Sequence, residues 1–265
     1  MTESSAAFRG SEILIDNSID LASGDAPATW WQCRATAELS SAAEVELYLP
    51  CMAGQATRLW RLPEGLAAPN GHRWLPLREA VYQLPEDTWL SAARAMAYAN
   101  WRAANRFCGR CGTKNIDKAD ELAVQCPACG NLGFPRLSPA ILAVVYKDGQ
   151  LLLARNAANK AGFWSLLAGF VEPGERFEDC VKREVREEVG IEIEVDSYLG
   201  SQPWPFPDQL MIGFSARWVA GELHPDGLEI AEAGWFSPTA LPFVPKTGSL
   251  SRRLIDQACR NLTTS

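Results

Sequence analysis

The sequence predicts an α/β protein in which a β-rich N-terminal domain and a cysteine-rich module precede an α/β domain. Three observations support this: alternating apolar and polar residues near the N-terminus, two close cysteine pairs, and a strand–loop–helix pattern beyond them. The chain has 265 residues, which at ~150 residues per domain suggests about two domains. We place the boundaries at 1–105 for the N-terminal domain, 106–136 for the cysteine module and 137–265 for the α/β domain.

Composition and charge exclude several classes of protein. Hydrophobic residues make up 47% of the chain and charged residues 22%, as in folded globular proteins. The net charge of −7 disfavours a general electrostatic grip on nucleic acid. His72 and His224, the two histidines, belong to no catalytic or metal-ligand motif. Because no secretory signal is visible and the longest apolar run, Ala140–Tyr146, cannot span a bilayer, we expect a cytoplasmic protein without a membrane partner.

Strands are predicted for the N-terminal segment up to about residue 84, and a helix from Pro85. Val45, Leu47 and Leu49 alternate with polar or amphipathic neighbours, as in a half-buried strand. After Pro85, apolar residues recur at spacings of three and four, which predicts an amphipathic helix. These residues are Trp89, Ala93, Met96, Ala97, Trp101 and Ala104.

Two cysteine pairs predict a structural zinc site. Cys108 and Cys111 form one Cys-X-X-Cys knuckle, and Cys126 and Cys129 form a second. Two intervening residues let both thiolates of a pair face one ion, and four thiolates complete the closed tetrahedral shell of structural Zn²⁺. A redox motif would explain one pair but not both. The zinc prediction says little about function, because zinc ribbons occur in binding proteins and in enzymes.

The α/β domain begins with the predicted strand Ala140–Tyr146, and Asp148-Gly149 predicts a hairpin to the next strand, Gln150–Ala154. Further along, the loop Gly169–Glu175 leads into a predicted helix. Val181, Val185 and Val189 form the apolar stripe of this helix, and Gly190 is a natural C-terminal stop.

Three carboxylates share one side of this helix. Glu184, Glu187 and Glu188 stand at positions i, i+3 and i+4, and the first and last flank the valine stripe while Glu187 lies farther round. Like charges at i,i+4 destabilise a helix, and a hard divalent cation such as Mg²⁺ or Mn²⁺ would offset that effect. The alternative is a solvated acidic face that the neighbouring Lys182, Arg183 and Arg186 neutralise.

The loop and helix together resemble the complete Nudix box. The residues that fill its pattern, without departure, are Gly169, Glu175, Arg183, Glu184, Val185, Glu187, Glu188, Gly190 and Ile191. The resemblance implies a Nudix α/β/α sandwich with a mixed sheet, and hydrolysis of a nucleoside diphosphate linked to another group. It also implies that Arg183 pairs with Glu175 to brace the loop.

A strip beyond the box, Ser201-Gln-Pro-Trp-Pro-Phe-Pro207, narrows the resemblance. Its three prolines predict an extended, stiff segment, and taken alone the strip is better interpreted as a packed connector. Following a Nudix box and a four-cysteine ribbon, it is similar to the signature of the NADH pyrophosphatases. Members of that family also remove NAD caps from RNA.

This resemblance implies a set of site residues. The catalytic residues are Glu184, Glu187, Glu188 and Glu229. The Mg²⁺ or Mn²⁺ ligands are the carbonyl of Ala168 with Glu184, Glu188 and Glu229, and Glu232 is a competitor for the last position. The substrate-binding residues are Phe170, Phe134, Gln202, Trp204, Phe206, Gln209, Arg78, Glu121 and Ser251.

The family also implies how the nicotinamide ring is bound. Phe170 and Phe134 would stack on its two faces, with Phe134 supplied by the second subunit of a homodimer. Phe134 departs from the Tyr common in the family, and Gln209 departs from its Ser.

The implied reaction is attack of water on the diphosphate of NADH or NAD, giving (reduced) nicotinamide mononucleotide and AMP. One glutamate of the set would accept the proton of the water, and the sequence leaves open which one. Removal of NAD caps from RNA by the same chemistry is the first alternative. The second is a zinc-ribbon binding module with an inactive Nudix domain.

Overall fold

The structure is a computed structural model, and it describes residues 4–23, 26–27, 29–33, 37–52 and 55–264. The chain divides into two compact units. The first comprises residues 1–137 together with 205–208, and the second comprises residues 138–204 and 209–265. No helix among the described residues is long and apolar enough to cross a membrane.

A five-stranded sheet forms much of the first unit. Its strands are β1 (Ser4–Arg9), β2 (Glu12–Asp16), β3 (Val45–Met52), β4 (Gln55–Arg61) and β5 (His72–Pro76). They lie in the order β3-β4-β1-β2-β5, with β1 parallel to β4 and the other pairs antiparallel. Val45 and Leu47 are buried and Glu46 is exposed, which confirms the predicted alternation there. The side chains of Tyr48 and Leu49 lie outside the described part of the chain.

Helices complete this part of the first unit. They are α1 (Ala37–Ala42), α2 (Leu77–Gln83) and α3 (Glu86–Ala104), with a short 3₁₀ turn at Leu21–Ser23. Pro85 precedes α3, where its fixed φ and missing N–H carry no penalty. The helix buries Trp89, Ala93 and Met96, so the predicted amphipathic helix is confirmed.

The cysteine-rich module contains a small three-stranded sheet. Its strands are β6 (Ile116–Asp117), β7 (Val124–Gln125) and β8 (Leu132–Gly133), in that order. The Arg102 guanidinium at the end of α3 pairs with Asp117 at 2.5 Å, which ties the module to the helix.

A mixed sheet forms the centre of the second unit. Its strands are β9 (Ser138–Lys147), β10 (Gln150–Asn156), β11 (Leu167–Phe170), β12 (Glu192–Trp204), β13 (Gln209–Ala220) and β14 (Ile230–Phe236). The order is β12-β13-β9-β10-β14, and β11 pairs with β9. Strands β9 and β13 are parallel, whereas the other pairs are antiparallel. Asp148 and Gly149 both have positive φ in the β9–β10 turn, which confirms the predicted hairpin.

One helix packs on each face of this sheet. They are α4 (Phe177–Val189) and α5 (Leu250–Thr264). Residues Ile141, Ala143 and Val145 of β9 share a core with the valine stripe of α4. Their neighbours Leu142 and Val144 face the other way, into a core with α5. The period-2 alternation of β9 therefore serves two buried faces and gives the α/β/α sandwich that the Nudix box implied.

The proline strip differs from its prediction. Strand β12 ends at Trp204, which pairs with Gln209 at the start of β13. The chain must reverse direction between these two residues, so 205–208 form a turn. The expectation of an extended segment holds for Ser201–Trp204 and is wrong for Pro205–Pro207, because proline fits a turn as well as an extended strip.

Candidate active site

The loop that precedes α4 brings strand β11 against the helix. At Gly169 a Cβ atom would lie 1.8 Å from Cδ of Glu184, so only glycine leaves room for that carboxylate. The helix ends at Gly190, whose φ of 74° is left-handed and therefore favours glycine. The structure thus gives a direct steric reason why glycine is required at these two positions of the Nudix box.

Arg183 connects the loop to the acidic face of α4. Its Nε and Nη2 donate to the two carboxylate oxygens of Glu175 at 2.8 and 2.9 Å. Its Nη1 donates to Glu184 at 2.8 Å and to Glu187 at 3.0 Å. The hydrogen bond from Arg183 lowers the pKa of Glu175 to about 2. The pairing of Arg183 with Glu175 is therefore confirmed, and both groups are charged at neutral pH.

Arg183 also fixes the backbone of the neighbouring strand β11 to α4. Its Nη2 donates to the carbonyl oxygen of Phe170 at 2.9 Å, and the Cys180 thiol donates to the same oxygen at 3.4 Å. The backbone of Phe170, a predicted stacking residue, is thus fixed to the helix that carries the glutamates. The sequence motif alone did not reveal this contact.

The three glutamates of α4 lie in different environments. Glu188 is 4% exposed, and the side chains of Glu184 and Glu187 are 13% and 59% exposed. This order confirms that Glu184 and Glu188 flank the valine stripe while Glu187 lies farther round. Burial and then the charge of Glu184 raise the pKa of Glu188 to about 8. Burial also raises the pKa of Glu184 above its ordinary value.

Glu188 fits a divalent cation better than it fits a purely structural role. Its Oε2 is buried and has no hydrogen-bond partner among the described residues. A buried carboxylate without a partner is costly, and ordinary cores avoid it. Mg²⁺ and Mn²⁺ are hard cations that take carboxylate oxygens, so this donor set suits them.

Glu229 lies in the turn before β14, and its charge, after burial, contributes to raising the pKa of both Glu184 and Glu188. The turn is built on Asp226, whose Oδ1 accepts backbone hydrogen bonds from Leu228, Glu229 and Ile230 at 3.2, 3.1 and 2.8 Å. The N–H of Asp226 donates to the carbonyl of Glu188 at 3.1 Å. Asp226 therefore links the end of α4 to the turn that carries Glu229.

Asp226 was missed by the sequence reasoning, although a signal was present. The pair Asp226-Gly227 is typical of a turn in which the aspartate accepts bonds from the following backbone. Glu232, the alternative to Glu229 as a metal ligand, instead forms an ion pair with Arg155 at 2.6 Å. These contacts favour Glu229 over Glu232 for the fourth position of the cluster.

The residues of the proline strip differ in how deeply they are buried and in what they contact. Gln202 is fully buried; its Nε2 donates to the carbonyl of Gly248 at 3.0 Å, and its Oε1 accepts from the N–H of Leu250 at 2.7 Å. This side chain therefore caps the N-terminus of α5. Trp204 and Gln209 are half-buried and form the last pair of the β12–β13 ladder. Phe206 lies in the turn, and the guanidinium of Arg78 stacks 4.8 Å from the centre of its ring.

The other residues that were predicted to bind substrate lie partly in the first unit and partly in the second. In the second unit, Phe170 is 52% exposed and the Ser251 hydroxyl lies 2.8 Å from that of Ser165. In the first unit, Phe134 is 47% exposed and Glu121 pairs with Lys118 at 3.0 Å. Both phenylalanines are therefore about half exposed.

The four cysteines converge as the zinc prediction requires. Their sulfur atoms all lie within 4.8 Å of one another. The carboxylates of the described residues form no group that is this compact. Each knuckle closes in the same way: Gly112 donates to the carbonyl of Cys108, and Gly130 to that of Cys126, each at 2.9 Å. Four thiolates in this arrangement form a structural Zn²⁺ site.

Two family models match separate parts of the chain. The model of the NUDIX domain matches residues 136–258, and the model of the NADH pyrophosphatase zinc ribbon domain matches residues 103–134.

Comparisons with individual proteins extend over more of the chain. One relative is the protein named NAD-capped RNA hydrolase NudC from Pseudomonas aeruginosa strain PAO1. It is 44% identical to this chain over 203 residues, which cover 77% of this chain and 73% of that protein. Its namesake from Chromobacterium violaceum is 45% identical over 186 residues, 70% of each chain. A solved Nudix hydrolase from Nitrosomonas europaea, 24% identical, has a TM-score of 0.50 over 60% of this chain and 90% of its own, which supports the fold alone. The chain therefore belongs to the NADH pyrophosphatase family of Nudix hydrolases.

Proposed function

We propose that the protein hydrolyses the diphosphate bond of NADH and NAD, giving (reduced) nicotinamide mononucleotide and AMP. The observation that carries this proposal is the buried carboxylate of Glu188, which lacks a partner among the described residues and lies on the same helix face as Glu184. Such a carboxylate suits a reaction whose substrate brings a diphosphate and divalent cations.

Glu184, Glu188 and Glu229 hold the cations in this proposal, with the carbonyl of Ala168 as a further ligand. When bound, Mg²⁺ or Mn²⁺ neutralises the diphosphate charge and lowers the pKa of bound water. A glutamate of the set, which includes Glu187, accepts the proton of the attacking water. Arg183 keeps the loop and the helix in register, so that little reorganisation is needed during the reaction.

We assign substrate recognition to the strip and to the exposed aromatic residues. Phe170 and Phe134 stack on the nicotinamide ring, and Trp204, Phe206 and Gln209 border it or the adjoining ribose. Arg78, Glu121 and Ser251 supply further polar contacts. Gln202 acts by holding the strip against α5, since its amide is already engaged.

A homodimer follows from the same proposal. The ribbon module exposes several large apolar side chains, and exposed apolar surface is a common mark of a protein–protein interface. They are Phe107, Ile116, Leu132 and Phe134, and the exposed Leu137 follows the module directly. We propose that a second copy covers part of this surface and receives Phe134 in its active site. We also retain the boundaries 1–105, 106–136 and 137–265, and a cytoplasmic location.

Removal of NAD caps from RNA is the second candidate function. It is favoured by the relatives of 44% and 45% identity, whose names describe that activity. The bond and the chemistry are the same, so one active site serves both substrates.

One panel of four substrates tests both candidate functions. NADH, NAD⁺, ADP-ribose and NAD-capped RNA are incubated with the zinc-loaded protein under one Mn²⁺ condition, and the products are separated by chromatography. We expect AMP and reduced nicotinamide mononucleotide from NADH, and 5′-monophosphate RNA from the capped substrate. A binding module with an inactive Nudix domain would leave all four substrates intact.

A further inference from the structure

The first cysteine knuckle is built on a short hairpin, residues 106–115, which we call the basic hairpin. Backbone hydrogen bonds of 2.8 and 2.9 Å close it on either side of one antiparallel pair, Phe107 and Lys114. Residues that lie directly opposite each other in this way place their side chains on the same face, with Cβ atoms about 4.5–5.5 Å apart. Phe107 and Lys114 are therefore neighbours on one face of the hairpin.

The basic hairpin carries positive charge in a chain whose net charge is −7. Its three basic residues are Arg106, Arg110 and Lys114, and no acidic residue occurs between positions 106 and 116. None of the three side chains forms an ion pair or a hydrogen bond with any residue that the structure describes. All three remain protonated at neutral pH, so the hairpin presents an uncompensated group of cations.

The acidic residues of the ribbon module do not offset this charge, because each already has a partner. Asp117 pairs with Arg102 at 2.5 Å, and Asp120 and Glu121 both pair with Lys118. The cations of the basic hairpin are therefore open to an anionic partner from outside the module.

An exposed aromatic ring lies among these cations. Phe107 is 58% exposed, and the guanidinium of Arg106 lies 5.9 Å from the centre of its ring. Proteins that bind single-stranded nucleic acids combine such rings, on which bases stack, with cations that contact the phosphates. A double helix keeps its bases stacked on one another and offers none to the ring.

We propose that the basic hairpin binds single-stranded RNA, with a base on Phe107 and the adjoining phosphates on Arg106, Arg110 and Lys114. An apolar surface of a second copy fits less well, because it would bury three cations without a counter-ion. The proposal rests on the proposed function in one respect, since an NAD-capped RNA would bring such a strand to the protein. The proposed homodimer requires Phe134 and leaves this hairpin available.

The test measures binding of a fluorescein-labelled RNA dodecanucleotide with a 5′-hydroxyl group, by anisotropy, to the full-length, zinc-loaded protein without Mn²⁺. Phe107→Ala should weaken binding about fivefold or more, the lower end for the loss of one stacked base. Lys114→Gln should weaken binding and lower the slope of log Kd against log salt concentration by about 0.7, the share of one phosphate contact. Lys114→Arg keeps the charge and should bind as the wild type does.

Lys182→Gln is the matched control, because it removes the same charge from an exposed position on α4 in the second unit. It should change neither the affinity nor the salt slope. Lys114 is itself exposed, so its variants decide the question even if Phe107→Ala disturbs the fold. NADH hydrolysis should be unchanged in the Lys114 variants.

The proposal is overturned if the wild type does not bind the RNA at low salt, or if Lys114→Gln and Lys182→Gln weaken binding equally. It is also overturned if RNA affinity is unchanged while Lys114→Gln loses zinc, which would mean that the cations balance the thiolates. Unchanged RNA affinity with dissociation of a wild-type dimer in Phe107→Ala would instead identify a second copy as the partner. A wild type that hydrolyses none of the four substrates would refute the proposed function, and the anisotropy would still decide whether the hairpin binds RNA.

Discussion

Glu188 shows at the level of one residue how the fold prepares a chemical group. Its neighbours on the helix, Val185 and Val189, are buried in the core, so the carboxylate is drawn out of water with them. Glu184 on the preceding turn adds a like charge, and together burial and charge raise the pKa of Glu188 to about 8. Burying this carboxylate beside Glu184 costs free energy, and a role as a cation ligand explains why the fold bears that cost.

The first prediction replaces this carboxylate by its neutral isostere. Glu188→Gln should lower the turnover of NADH by at least ~10²-fold, the lower end expected for a positioned acid–base or electrostatic group. The fold should persist, because removing a buried charge relieves repulsion from Glu184. Steady-state rates and thermal unfolding curves would measure both effects.

Glu178→Gln is the matched control, since Glu178 is exposed on the first turn of the same helix. It should retain nearly all activity. If Glu188→Gln also remained within a few-fold of the wild type, the assignment of Glu188 to the metal site would be wrong.

The elements around the site differ in how far the sequence predicts them. The valine spacing of α4 and the Asp148-Gly149 turn are local signals, and both predictions were confirmed. The turn at Pro205–Pro207 was not predicted, because it is imposed by pairing of β12 with β13. The burial of Gln202 depends on α5, which lies more than forty residues away in the sequence, and a local pattern cannot contain that information.

The second prediction concerns the turn that carries Glu229. Asp226→Ala removes the acceptor for three backbone N–H groups, so Glu229 should lose its fixed position. Outer partners of metal ligands typically contribute about 10- to 100-fold to metal affinity or activity. We therefore expect the Mn²⁺ concentration for half-maximal activity to rise about tenfold or more, with a smaller change in KM for NADH.

Asp226→Asn is the rescue variant, because it keeps the Oδ1 acceptor that binds all three N–H groups. It should restore most of the metal response. A rise in the Mn²⁺ requirement that is equal in both variants would indicate that the charge of Asp226 matters and that its hydrogen bonds do not.

The whole molecule combines a zinc ribbon with a hydrolase domain, and the two metals should have separate roles. Cys126→Ser removes one of four converging thiolates and should destabilise the ribbon, because structural zinc binding is coupled to folding. Elemental analysis should find about one zinc per wild-type chain. The control variant Cys259→Ser, which changes a cysteine outside the cluster, should still bind about one zinc per chain. A variant at Cys126 that stays folded and fully active without zinc would refute the structural role.

The fourth prediction tests the proposal that two chains build one site. Phe134→Ala should lower kcat/KM for NADH about 5- to 150-fold, because stacking on a ring contributes ~1–3 kcal/mol. Hydrolysis of ADP-ribose, which lacks the nicotinamide ring, should fall much less. Equal losses on both substrates would make Phe134 a packing residue.

Mixing two variant chains gives an independent test of the proposed shared site. Phe134→Ala chains mixed with Glu188→Gln chains should regain activity, since one site of each mixed dimer combines intact glutamates with an intact Phe134. No recovery, despite verified subunit exchange, would mean that each chain completes its own site.

The central claim is that the glutamate cluster hydrolyses a nicotinamide dinucleotide at its diphosphate. It is tested most directly by product analysis of NADH incubated with zinc-loaded protein while Mn²⁺ is titrated. The account predicts equal amounts of AMP and reduced nicotinamide mononucleotide, formed in proportion to Mn²⁺ occupancy while the zinc content stays constant. Intact NADH at saturating Mn²⁺, or products formed equally well without it, would contradict the account.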